Sequence, residues 1–174
     1  MKRKVICDSE TDSLDPKQVW VIVCKDIDTE EVFVFERPDL APKAFLEFAA
    51  PVDLWIGHYF IEFDWFKVFR KFFPSAIPDP LKILDTVICS RLFNFGAEGG
   101  HSIAAWGKRL GRHKPFIEDF SAGLTPEMIE RCKEDVEINY LLYKKFERYI
   151  NHKAYIKAIE LEHKSVLVCL DMHH

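Results

Sequence analysis

No apolar run in this chain approaches the roughly 20 residues that a membrane-spanning helix requires. Membrane insertion is therefore not expected, and Met1-Lys2-Arg3-Lys4 leads straight into a strand-like segment rather than a signal-type stretch. Cys-x-x-Cys pairs are missing as well: Cys7, Cys24, Cys89, Cys132 and Cys169 are scattered and odd in number. That usage argues against structural zinc and a disulfide framework, and implies reduced thiols in a cytoplasmic protein. The chain has no basic excess either; its formal net charge is −4. A broad basic face for nucleic acid is not expected, although enzymes that reach a phosphodiester through metal ions need little of one. The glycine-rich stretch from Phe95 to Gly100 shows no phosphate-loop pattern, and Met172-His173-His174 has too few histidines for a tag or metal site. Internal repeats and low-complexity tracts are absent.

What the chain does have is apolar mass. With 174 residues, 48% of them hydrophobic and 15 of them Phe, it can bury one good core as a single domain over 1–174. Val5, Ile6 and Cys7 read as a buried strand, and 19–26 is a second β-branched stretch. A third strand is expected over 31–36, where Val32 and Val34 alternate with Phe33 and Phe35. Pro42 opens a short helix, and 54–57 makes a fourth strand. An aromatic-rich helix is expected over 62–73, its stripe read as core packing. A fifth strand over 82–85 runs into a helix capped by Asp85 or Thr86. Further helices are expected over 101–110, from Thr125-Pro126 to about 150, and from 153 onward, with an irregular loop over 112–123. Strands first, then alternating helix and strand, give an α/β fold with helices on both faces of the sheet.

Asp8 and Glu10, in Asp8-Ser9-Glu10-Thr11, end the first strand. Carboxylates at i and i+2 of a strand point the same way. Side by side and partly buried they repel and lose hydration, penalties that divalent cations remove together. The alternative is a polar strand end facing solvent. Asp64 follows the fourth strand with apolar neighbours, near the sheet edge where α/β proteins place their sites. Asp135 lies within the long helix on a mixed face that includes Arg131, Cys132, Ile138 and Asn139. Asp85 is a further acid, accounted for by capping.

The ordered set resembles the DEDD (DnaQ-like) 3′→5′ exonucleases. Asp8-Ser9-Glu10-Thr11-Asp12-Ser13-Leu14 is similar to their first motif, Gly57-His58 with Phe63-Asp64 to the second, and Asp135 to the third. The likeness is strongest to the proofreading domains of phage-type family A DNA polymerases. It extends to the segment from Asp85-Thr86 to Leu92 and to Leu161-Glu162-His163-Lys164, a helix over about 153–174 that in relatives leads into a polymerase domain. The resemblance implies a ribonuclease H-like fold with a mixed five-stranded sheet flanked by helices. It implies that Asp8, Glu10, Asp64 and Asp135 hold two divalent cations, Mg²⁺ or Mn²⁺. Asp8 would bridge them, Glu10 and Asp135 would hold the ion serving the attacking water, and Asp64 would hold the second mainly through water. Thr11, Leu14, His58 and Tyr59 would bind substrate, Leu14 against the terminal base or, alternatively, as a core leucine. The implied partners are DNA 3′ ends and a DNA polymerase domain or subunit, in the host cytoplasm if phage-encoded.

Three positions depart from that pattern. Arg131 stands where a Tyr would orient water, Glu130 where the other subclass has His, and Tyr59 where Asn commonly follows Gly-His. Arg131 is open to three readings: a contact to the scissile phosphate, a surface residue, or the mark of a partly inactivated domain. His113 and Lys114 are read as solvated loop residues, the alternative being a nucleic-acid contact. The leading expectation is a DNA 3′→5′ exonuclease releasing nucleoside 5′-monophosphates. Alternatives are an exoribonuclease of the ribonuclease D type and a weakly active module that binds DNA ends or a polymerase.

Overall fold

Strand β1 (Arg3–Thr11) runs on through the two acids instead of stopping before them. Pairing explains this: Asp8 lies opposite Val23 and Glu10 opposite Val21 on β2 (Val19–Asp26), and the register breaks only after Glu10. β2 continues antiparallel to β3 (Val32–Glu36). On its other side β1 runs parallel to β4 (Val52–Gly57), which runs parallel to β5 (Ile83–Asp85). The order β3-β2-β1-β4-β5 makes a mixed five-stranded sheet with the acid-bearing strand at its centre. The computed structural model describes residues 3–172 apart from 115, 116, 118, 121 and 122; the closing His173 and His174 and part of the 112–123 loop lie outside the described residues.

The two-residue period of β1 sorts its side chains into two cores. Val5 and Cys7 join Phe45, Trp55, Phe60, Phe69 and Phe73 on one face. Ile6 joins Val21, Trp106, Val136, Ile138, Leu142 and Phe146 on the other. The first face is covered by α1 (Lys43–Ala49) and the helical segment after β4. The second is covered by α5 (Pro126–Ile150), which Thr125 caps by accepting from the Met128 N–H. Between them come α3 (Thr86–Phe93) and α4 (Ile103–Arg109), capped by Asp85 and Ser102, and α6 (Lys153–Met172) closes the chain. Among the described residues no helix is long and apolar enough to cross a membrane.

The helix expected over 62–73 is different in kind. Ile61–Phe69 winds as a π-helix before the single α turn α2 (Arg70–Phe72). The Trp65 N–H donates to the Phe60 carbonyl at 2.7 Å, five residues back, and the Arg70 N–H to that of Trp65. Buried positions recur every four residues at Phe60, Asp64 and Val68, as they would on one face of an α-helix. An apolar pattern alone does not separate it from an α-helix, and such turns occur often at functional sites. Phe69 and Phe73 are core residues as expected; Phe63, partly buried against the same core, also reaches the rim of a surface cavity beside Glu10 and Leu14.

Gly57, at the end of β4, lets the chain fold back tightly. A Cβ there would lie 2.3 Å from Phe60 Cδ2 and 2.6 Å from Phe60 Cβ, and Phe60 is fully buried. Gly57→Ala should therefore destabilise the fold by about 1–3 kcal/mol through overpacking, read from the urea midpoint. A variant as stable as the parent would show that Phe60 can shift freely.

Candidate active site

Asp8 and Glu10 share the β1 face that α5 covers, and α5 brings Asp135 against them. One carboxylate oxygen from each of the three lies within 4.8 Å of the others. The Cys132 thiol, one helical turn before Asp135, donates to the Asp8 carbonyl (3.4 Å) and to Asp8 Oδ2 (3.5 Å), fixing helix against strand. Asp64 stands outside this trio. It is buried at the start of the π-helix, and the Ser9 hydroxyl donates to its Oδ1 at 2.5 Å. It remains close enough to raise the pKa of Asp8.

Electrostatics show what the cluster lacks. Burial, then the charges of Asp135, Asp64 and Glu10, push the Asp8 carboxyl well above its usual range. Burial takes Glu10 to about 7 against the opposing pull of Lys114 and Arg131, and takes Asp64 to about 7. Asp135 is raised by the same burial. Among the described residues, two fixed cations pair with these acids. Lys114 pairs with Asp135 Oδ2, and Arg131 Nε donates to Glu10 Oε1 at 3.1 Å. Asp135 Oδ1 is buried with no hydrogen-bond partner among the described residues. Four hard oxygen donors, two compensating charges and one orphaned buried oxygen fit divalent cations of the Mg²⁺ or Mn²⁺ type.

The cavity at this cluster has a volume of about 430 Å³ and is lined by Asp8, His58, Tyr59, Lys114, Arg131 and Asp135 together with the start of α4. A second cavity, on the far side of Arg131, is lined by Glu10, Thr11, Leu14, Phe63 and Phe120. Leu14 is 78% exposed, so the core-leucine alternative fails and its side chain faces that cavity. Thr11 is buried and its hydroxyl donates to the Ser13 carbonyl, shaping the loop that carries Leu14. Arg131 lines both cavities, with its guanidinium 5.2 Å from the Phe120 ring centre; it is not a solvated surface residue.

His58, read as a substrate contact, lines the cavity with both ring nitrogens engaged by the protein. Its Nε2 donates to the His101 carbonyl (2.7 Å), which leaves Nδ1 as acceptor toward the Thr86 hydroxyl (2.8 Å). Burial lowers its pKa to about 4, so the ring is neutral and both nitrogens are committed to the protein. Tyr59 has φ of 60°, the left-handed region that Asn tolerates far better than an aromatic residue. This gives the common Asn a physical reason and marks the turn as strained. The turn is held by Asp85, whose carboxylate accepts from the N–H groups of Tyr59 (3.0 Å), Ile61 (3.1 Å) and Val87 (3.1 Å). Asp85 therefore does more than cap α3. Lys114, read from sequence as a solvated loop residue, is the other residue that belongs to the site; a lone lysine in an aperiodic loop carries no signal of it.

Neither a protein-family profile nor a curated protein sequence matches the chain. Solved structures do. One described as the apo form of a nuclease has a TM-score of 0.70 at 22% identity, covering 98% of this chain and 87% of that one. NrnC of Brucella melitensis gives 0.62 at 20% identity, covering 96% and 85%. The catalytic core of RRP6 from Trypanosoma brucei gives 0.66 at 15% identity, covering 92% of this chain but 45% of that one. At such identities the likeness speaks for architecture, and the chain has the ribonuclease H-like α/β fold that these nucleases share.

Proposed function

We propose that this protein is a divalent-metal-dependent 3′→5′ exonuclease that removes nucleoside 5′-monophosphates from single-stranded or frayed DNA ends. The observation that carries the reading is the convergence of Asp8, Glu10 and Asp135 on one face of the central strand, open to a cavity. Asp64 and the match of all four acids to the exonuclease motifs support it. Asp8, Glu10 and Asp135 would hold the cations, with Asp64 at their flank. Bound there, they would neutralise charge developing on the phosphodiester and lower the pKa of the attacking water.

The chain's own residues supply the rest. Arg131 is poised between the acid cluster and the Leu14 cavity, where its planar donor fork suits a phosphate oxygen. Leu14 and Phe63 offer apolar surface to a terminal base, and Thr11 holds the loop beneath it. His58 positions the β4 turn through Thr86 and the His101 carbonyl, leaving Tyr59 as that turn's exposed contact. Proofreading beside a DNA polymerase domain or subunit is the setting that the motif resemblance favours.

Digestion of matched DNA and RNA oligonucleotides in Mn²⁺, with label at either end, tests this reading. Asp8→Ala should abolish digestion. Arg131→Ala should reduce it by about 10²–10³-fold, the scale of one lost charge-stabilising donor. Undiminished digestion by the Asp8 variant would remove the site assignment, and preference for RNA would replace DNA as the substrate.

A further inference from the structure

We infer that the DNA strand upstream of the terminal nucleotide runs from the acid cluster over Tyr59 and Arg91 onto Phe95, which serves as a stacking platform for a base. This rests on the nuclease reading and extends it to a surface outside the reacting centre. Tyr59 lines the cavity at Asp8 and Asp135. Its hydroxyl accepts from Arg91 Nη2 at 3.1 Å, and the Arg91 guanidinium lies 5.5 Å from the Tyr59 ring centre. Arg91 in turn lines the next cavity, of about 330 Å³, together with Ile88, Leu92 and Phe95. The two cavities thus adjoin through one aromatic–guanidinium pair, continuous with the site of the reaction.

Phe95 is 91% exposed and makes no ring contact among the described residues. A lone exposed apolar residue needs no explanation in itself. Here, however, the loop that presents it is braced. The Ala97 N–H donates to the Asn94 carbonyl (2.9 Å) and the Gly100 N–H to the Ala97 carbonyl (3.0 Å). Gly99 and Gly100 take φ of 77° and 85°, which glycine alone adopts without strain. Arg109 donates to the carbonyls of Glu98 and Gly100 while its guanidinium lies 4.6 Å from the Trp106 ring centre. Trp106 is buried and its Nε1 donates to Ser90 Oγ (2.8 Å). The loop backbone is tied to the core, which fixes where the Phe95 side chain leaves the surface.

The chemistry selects the occupant. A cation beside a projecting aromatic ring, in line with a phosphodiester site, is the arrangement that tracks a single strand: phosphate on the guanidinium, base on the ring. Glu162 also lines the Phe95 cavity and repels phosphate beside the ring, so the phosphate belongs on the Tyr59 side of Arg91 and a base is the group that fits over Phe95. Duplex DNA hides its base faces and does not suit a stacking platform.

Fluorescence anisotropy with a deoxydinucleotide and a deoxydecanucleotide, in Ca²⁺ and with phosphorothioate linkages to block cleavage, tests the path. Phe95→Ala should weaken decanucleotide binding about tenfold, with far less effect on the dinucleotide, and Phe95→Trp should restore it. Arg91→Gln should weaken it and flatten the salt dependence by about one phosphate contact. Decanucleotide affinity unchanged by Phe95→Ala would overturn the path, and a loss confined to a ribonucleotide strand would overturn DNA as its occupant. Hydrolysis of thymidine 5′-nitrophenyl phosphate by the unmodified protein in Mn²⁺ reports the reacting centre separately. Failure there would strike the nuclease reading while leaving strand binding to be judged by the anisotropy.

Discussion

Asp8→Asn should make the metal-free protein melt higher than the parent above neutral pH, while removing both its stabilisation by divalent ions and its hydrolytic activity. The sign follows from the raised carboxyls. Asp8 and Asp135 are raised, and Glu10 and Asp64 reach about 7, whereas in the unfolded chain such groups titrate near about 4. Between those limits the folded state binds more protons than the unfolded one. Stability is therefore greatest below the unfolded value and is lost as pH rises through the folded values. As pH rises, the carboxyls of the metal-free cluster lose their protons against Lys114 and Arg131, the cations that pair with them among the described residues. Replacing Asp8, which sits among the other three, relieves repulsion without a change of shape.

Divalent ions act in the opposite sense. They bind the deprotonated cluster of the folded chain, and a concentration about 100 times the dissociation constant adds about 2.7 kcal/mol. For a chain of this size that raises the melting temperature on the order of 5–10 °C. Asp8→Asn should lose most of that response. Thermal scans at pH 8 in chelator and in Mn²⁺ measure both effects. A variant that melts below the parent in chelator would show that Asp8 is a structural acid and not a strained ligand. Such an exchange of stability for function is usual where an active site concentrates like charges.

The legible parts of this site are those that repeat or follow in order. Asp8 and Glu10 could be read because a strand's period of two puts them on one face, and pairing of β1 with β2 preserves that period through Glu10. Asp135 could be placed by its order after the other acids in the motif resemblance; its long, capped helix was legible, but the mixed face around Asp135 left its direction open. The capping role of Asp85 was legible because capping is local. Its two further bonds, to Tyr59 and Ile61, were not, because they cross from β5 to the β4 turn. The left-handed backbone at Tyr59 and the π-helical winding of 61–69 adjoin those long-range bonds and the close packing at Gly57, none of which a local pattern shows. Arg131 was legible as an anomaly, but only the fold shows that its head meets Glu10.

The same bonds make Asp85→Ala the substitution with the largest expected cost to the fold. It would leave the N–H groups of Tyr59, Ile61 and Val87 without the acceptor they share, in a place with little water to replace it. Each buried donor left unsatisfied costs about 1–3 kcal/mol, so with partial relaxation the loss should be roughly 3–5 kcal/mol. That is a large share of the roughly 5–15 kcal/mol that holds a typical domain together. The anchor also runs outward: the Asp85 N–H donates to His163 Nε2 at 2.8 Å, and His163 Nδ1 donates to the Ile159 carbonyl at 2.7 Å, which ties α6 to the same point. Asp85→Asn keeps one acceptor oxygen for Tyr59 and Val87 but sets an amide N–H against that of Ile61, and should lie between parent and Ala. Because the turn carries Tyr59 in a strained conformation and leads directly into Asp64, hydrolysis should fall at temperatures where both variants remain folded. Urea unfolding paired with digestion at low temperature separates the two effects. An Ala variant within about 1 kcal/mol of the parent would mean that sheet pairing alone holds the turn, and the strain at Tyr59 would then need another source.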